Sequence, residues 1–260
     1  MRRPADLAAA VVRRARGALA RPIAAPAAGS VGRRPTRPDA LARSEERLAA
    51  LGAVEADLVR DPTSHARAFR QPDGVSCGAA CLVYARMIHD PLYAMWIVTG
   101  FDPVTGRDHA GELHGRWAAA VRTMHRRVTG VHDHDGRLQP PWPRLLGTPP
   151  WAAARQMGGG PDASGLPGAQ YRARIIDPEH LDAEFDAIAV AVCAGHTVPL
   201  YVGDGLRPAH ATLVVGAADD RLRVYEPSAG RLARVARSAF EHGTFTLDGW
   251  SVPWFTVLPR

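Results

Sequence analysis

The segment QPDGVSCGAACL, residues 71–82, joins a turn-forming run to an apolar one. Pro72, Asp73 and Gly74 are loop formers, whereas CGAACLVYARMIH, residues 77–89, is small and apolar almost throughout. This pattern predicts a buried helix that begins at Cys77 and is ended or bent by the Asp90-Pro91 pair. A thiol at the first position of a helix meets unpaired backbone N–H groups and the positive end of the helix dipole, which stabilise its thiolate and make it a nucleophile. Gly78 leaves room for a substrate carbonyl to approach the backbone. Cys81, one turn further in among Ala and Leu, reads as a small buried hydrophobe.

Upstream, DALARSEERLAALGAVEADLV places Leu41, Leu48, Leu51 and Leu58 at helical spacing, which predicts one helix from Asp39 to about Arg60. Downstream, residues 111–128 are helical in pattern. Residues 129–170 are crowded with Pro and Gly and predict an inserted loop without regular structure. PEHLDAEFDAIAVAVCAG is a further helix that stops at Gly195. TVPLYVG, HATLVVG, RLRVYEP and SVPWFTVLP then follow as short β-branched and aromatic strands separated by turns. Helices first and a strand meander second predict an α+β fold with an N-terminal helical lobe around the Cys77 helix and a C-terminal antiparallel sheet.

Composition limits the alternatives. The 260 residues are 46% hydrophobic, enough for one large core, and no apolar run approaches the ~20 residues of a membrane span. Three cysteines make no disulfide framework. The formal net charge of +6 is unevenly placed: residues 1–38 carry nine Arg against Asp6, or +8, which leaves −2 for residues 39–260. A nucleic-acid partner is therefore not expected through the body. The leader, 1–38, is Ala, Arg and Pro rich and reads as flexible. Within it, Leu7, Val11, Ala15, Ala18 and Leu19 share one helical face opposite Arg13, Arg14, Arg16 and Arg21, a weak membrane or export-machinery contact. It lacks the apolar core of a secretory signal, so the expected location is the cytoplasm or export by a non-classical route.

A thiol nucleophile needs a base, a group that orients the base, and an oxyanion donor. His210 opens an apolar strand, and Glu226 closes the next one sixteen residues later. A hairpin turning at ADDRL brings Glu226 back to the level of His210. Gln71, six residues before Cys77, carries an amide that can reach toward the nucleophile. Elsewhere, His132, Asp133, His134 and Asp135 are adjacent residues on a loop and do not have the spacing of a closed metal site. Trp142 and Trp151 either pin the insertion or edge a peptide site.

Together, QPDGVSCGAACL, AGHTVPLYV, AHATLVVG and RVYEPSAG resemble the papain-like cysteine peptidases that process the double-glycine leaders of bacteriocins. The resemblance covers roughly residues 65–100 and 175–260. It implies a papain-like two-lobed fold in which Cys77 is the nucleophile, His210 the general base and acid, Glu226 the orienting acid and Gln71 the oxyanion donor. It implies a peptide or protein substrate, no cofactor and no metal. The family usually has Asp where this chain has Glu226, and the 133 residues from Cys77 to His210 are a long span for it. The expected activity is cleavage of a peptide or protein amide, either to mature a peptide or as a secreted effector or toxin. The alternatives are a catalytically silent peptide-binding module, and a deamidase or acyltransferase on the same scaffold.

Overall fold

A computed structural model describes residues 4–20 and 38–260. The rest of the leader, 1–3 and 21–37, lies outside the described residues. Helix α1 (Pro4–Leu19) is followed by α2 (Pro38–Ala49) and α3 (Ala53–Arg60). The single helix expected over 39–60 is broken at Gly52, whose extended backbone starts α3. A 3-10 stretch, Pro62–Ala68, leads to α4 (Cys77–His89) and α5 (Pro91–Thr99). Pro91 opens α5 rather than only ending α4, because a proline at the first helical position loses no intrahelical bond and Asp90 Oδ1 accepts from the Tyr93 N–H at 3.2 Å.

A two-residue hairpin follows, β1 (Phe101–Asp102) with β2 (Arg107–Asp108), and then α6 (Leu113–Thr129). The segment 129–170 is more ordered than its composition predicts. It contains a 3-10 turn at Arg144–Leu146 and an eight-residue helix, α7 (Pro150–Met157), with Ala152, Ala153 and Met157 fully buried. The remaining elements are β3 (Tyr171–Ile175), α8 (Leu181–Cys193), β4 (Val198–Gly203), β5 (Pro208–Ala218), β6 (Arg221–Glu226), β7 (Arg231–Ala236), α9 (Arg237–Glu241) and β8 (Val252–Pro259). The fold is α+β, built on a six-stranded antiparallel sheet in the order β3-β8-β4-β5-β6-β7. Among the described residues no helix is long and apolar enough to cross a membrane.

Both faces of the sheet are covered, so β4 is buried at all six positions and reads as a continuous apolar run instead of an alternating one. On one face lies α4, with ten of its thirteen residues buried. Phe69, Tyr84 and Trp117 pack there, and Tyr84 of α4 stacks on Tyr225 of β6 at 3.9 Å between ring centroids. Cys81 Sγ lies 3.5 Å from the Ala211 carbonyl of β5. These two contacts fix α4 against the strand positions next to His210 and Glu226. Phe185 and Ile188 of α8 and Phe240 of α9 fill the opposite face with Val198, Leu200, Val214 and Val224. Helices thus lie on both faces of the sheet, not only ahead of it in one lobe.

Helix α1 docks on this body by an unexpected face. Val11 and Leu19 stay 67% and 65% exposed, whereas Arg16 is buried. Its guanidinium stacks over the Trp254 ring at 4.3 Å, and its Nη2 donates to the Ile176 and Pro253 carbonyls. Burial lowers the Arg16 pKa to about 10, with Asp177 acting against the shift. A planar cation on an indole can anchor a helix that has no large apolar stripe.

Candidate functional site

The chain enters α4 through a tightly held loop. The Tyr225 hydroxyl donates to the Phe69 carbonyl, the Trp117 indole N–H to the Arg70 carbonyl at 2.7 Å, and the Gln71 N–H to the Pro227 carbonyl at 2.8 Å. Residues 69–71 therefore run beside the turn that follows Glu226. Asp73 Oδ1 then accepts from the Val75 N–H at 3.1 Å and turns the chain into the helix. Ser76 precedes the helix without a side-chain capping bond. The first N–H groups of α4, Cys77 included, have no intrahelical acceptor.

His210 and Glu226 come from neighbouring strands. Asp219 and Asp220, with φ of +50° and +54°, form the two-residue turn between β5 and β6, the conformation whose twist suits a hairpin. Leu213 pairs with Tyr225, which brings the end of β6 alongside the start of β5. Beside His210, β4 carries a bulge between Val202 and Gly203. A β-carbon on Gly203 would lie 2.0 Å from the Arg207 carbonyl, so only glycine fits the tight return into β5.

The result is an imidazole held from two sides. His210 Nε2 lies 3.0 Å from Glu226 Oε1, with both side chains at most 5% exposed. Burial disfavours the charged ring, but hydrogen bonding and negative charge at the Cys77 sulfur and the Glu226 carboxylate outweigh it and push His210 up to about 9. Because Nε2 belongs to Glu226, Nδ1 is the nitrogen left to the thiol. Burial likewise opposes the charge on Glu226. The bond to His210 and the Ser228 N–H, 2.8 Å from Oε1, outweigh it and bring the carboxyl down to about 2. Oε2 accepts from the Ala229 N–H at 3.1 Å. The extra methylene of Glu relative to Asp is absorbed by this turn, which grips both oxygens.

Cys77 therefore shares its surroundings with His210 and Glu226, at 9% exposure. Gln71 is tied to the same turn by its backbone. Its Nε2 donates to the Asp73 carbonyl at 2.8 Å, and its Oε1 is buried without a partner among the described residues. Cys81 faces the core, where burial pushes its thiol well above the usual range.

Three neighbours were not legible as site residues. Tyr201 of β4 is buried, and its hydroxyl has no partner among the described residues. Burial, with the nearby Cys77 and Cys81, pushes its ionisation well up. Thr148 arrives from the segment expected to be an irregular loop and lies over Gly78, its hydroxyl buried and without a partner among the described residues. A β-carbon on Gly78 would sit 2.6 Å from Thr148 Cβ. Gly78→Ala should therefore push Thr148 off the start of α4 and lower stability by about 1–3 kcal/mol. Denaturant melts check this, and an unchanged midpoint would show that the segment yields freely. The third neighbour, Asp248, has its Oδ2 4.0 Å from His210 Nδ1.

His210, Glu226 and Asp248 also present ligand atoms within 4.8 Å of one another, the spacing of a cation site. Both Glu226 oxygens are already engaged by the imidazole and two backbone N–H groups, so the donor set suits an imidazolium better than a metal. In the HDHD stretch, Asp133 Oδ1 accepts from the Asp135 and Arg137 N–H groups and builds a turn. Trp142 and Trp151 pack edge to face at 5.0 Å, joining α7 to the loop before it.

Compared with known proteins, the sequence matches no family model and no curated protein.

Proposed function

We propose that this protein is a papain-like cysteine hydrolase that cleaves a peptide or protein amide, with Cys77 as nucleophile, His210 as general acid and base, and Glu226 as the group that orients and charges the imidazole. One observation carries the reading: a buried imidazole whose Nε2 is bound to a carboxylate at 3.0 Å and whose positive charge is also held by Cys77 at the first position of a helix. The resemblance of residues 71–82 to the leader-processing peptidases supports the same assignment.

In the first half-reaction the Cys77 thiolate adds to the amide carbonyl carbon. The oxyanion takes hydrogen bonds from the Cys77 N–H and from the Gln71 Nε2 hydrogen that the Asp73 carbonyl does not hold, and the His210 Nδ1 proton passes to the amide nitrogen. The C–N bond breaks and the amine leaves a thioester on Cys77. In the second, neutral His210 takes a proton from water, hydroxide adds to the thioester, and the acid and free thiol are released.

A thiol-directed activity probe tests this in a Cys193→Ser background, which removes the one exposed thiol among the described residues. The probe should label Cys77, and Cys81→Ala should label as the parent does, because Cys81 is 1% exposed and bonded to Ala211. Equal labelling of Cys77→Ala and the parent would sink the assignment.

A further inference from the structure

Asp248 occupies a position that the chemistry above leaves without a role. It lies between α9 and β8, where Leu247 and Trp250 exchange backbone hydrogen bonds of 2.9 and 3.0 Å. Asp248 and Gly249 form the turn between them, with φ of +52° and +83°, again the two-residue hairpin conformation. Leu247 is fully buried and roots the turn in the core. The turn type alone would accept Asn as readily as Asp. Its carboxylate is instead aimed at a ring nitrogen of His210, 4.0 Å away, while remaining 47% exposed to solvent.

The nitrogen it faces is Nδ1. Glu226 already fixes the ring through Nε2, so a second carboxylate is not needed for orientation. In amide cleavage the Nδ1 proton is delivered to the leaving nitrogen, so the residue on the leaving side of the bond must pass beside Nδ1. The exposed carboxylate of Asp248 borders that path.

We propose that Asp248 makes the leaving-group side of the site cation-selective, so that the preferred substrates are peptides with an arginine or lysine immediately after the scissile bond. This rests on the hydrolase reading. A full charge about 4–5 Å from a substrate cation at a half-exposed position is worth roughly tenfold in selectivity.

Two arms test it in the Cys193→Ser background. In the first, Cys77 is modified with trimethylammonium-ethyl and sulfonato-ethyl methanethiosulfonate, and each rate is followed by intact mass. The thiolate displaces methanesulfinate in both cases. The ratio of cationic to anionic rates cancels any change in thiol ionisation, which a merely structural role for Asp248 would produce. Asp248→Asn should lower the ratio about tenfold, and Asp248→Lys should lower it further. A ratio unchanged in both variants overturns the proposal. In the second arm, a proteome-derived peptide mixture is digested and the cleavage sites are read by mass spectrometry. Arg and Lys should be enriched directly after the cut with Asp248 present and lose that enrichment in Asp248→Asn. Identical site profiles overturn the substrate preference. No cleavage by either form, with a rate ratio that still responds, overturns the hydrolase reading and upholds the cation subsite.

Discussion

Cys77→Ala should abolish cleavage of a proteome-derived peptide mixture, a fall on the order of 10⁶-fold, while leaving the fold intact. The alanine still fits at the start of α4, because the helix is held by groups other than the thiol. Tyr84 stacks on Tyr225, Cys81 contacts Ala211, and the loop before the helix hangs from Trp117 and Tyr225. What disappears is the atom that adds to the carbonyl. The imidazole and the helix N-terminus remain, but without a covalent intermediate they can only polarise an amide toward water. Cys81 cannot substitute, since it points into the core and burial holds its thiol protonated. Cleavage by Cys77→Ala at the parent rate, with an unchanged circular dichroism spectrum, would remove the nucleophile assignment.

Glu226→Gln carries the second large effect. The substitution keeps the shape and one acceptor oxygen but removes the charge that holds the imidazolium, so the cleavage rate should fall about 10²-fold or more. The two groups also set a stability window. Glu226 is brought from 4.5 down to about 2 in the folded protein, so its contribution is present above 4.5 and lost as pH falls from there through 2. His210 is raised from 6.5 to about 9, so its contribution is full below 6.5 and lost as pH rises from there through 9. Together they stabilise the fold most between about 4.5 and 6.5. Glu226→Gln should flatten the acid limb of a melting-temperature profile and shrink the alkaline decline, which still starts near 6.5 but ends below 9 because the folded-state His210 pKa falls. A profile that superimposes on the parent across both limbs would show that the pair is not linked to folding.

The three residues Cys77, His210 and Glu226 were legible because each breaks a local pattern. His210 is a polar residue opening an apolar strand, Glu226 ends a strand at the correct distance for a hairpin, and Cys77 stands where a turn becomes a helix. Strands β4, β5, β6 and β8 were legible from their β-branched and aromatic runs. The edge strands were not. YRARI and RLARVA carry arginines, of which Arg172, Arg231 and Arg234 face solvent at the sheet edges, which blunts both the apolar signal and unwanted pairing. Helix α7 was hidden by its shortness, although Pro150 at its first position and Gly158 after its last mark both ends. Helix α5 was hidden because an Asp-Pro pair marks the end of one helix and the start of the next alike. The docking of α1 escaped a hydrophobicity argument altogether, since its buried anchor is an arginine on a tryptophan. Thr148 and Asp248 reach the site only through tertiary folding. An Asp-Gly pair in sequence signals a turn, and nothing local says that the turn will close on a histidine.

The ionisation of His210 tests the central claim most directly. With ¹³C,¹⁵N-labelled histidine and a His210→Gln variant for assignment, an NMR titration should show this ring charged through neutral pH and titrating at about 9. It should shift to lower pH in Cys77→Ala and in Glu226→Gln, because each removes one of the two groups that hold the proton. A His210 ring that titrates at or below 6.5 in the unaltered protein, and does not respond to either substitution, would contradict the thiol–imidazole–carboxylate assembly on which the proposed function stands.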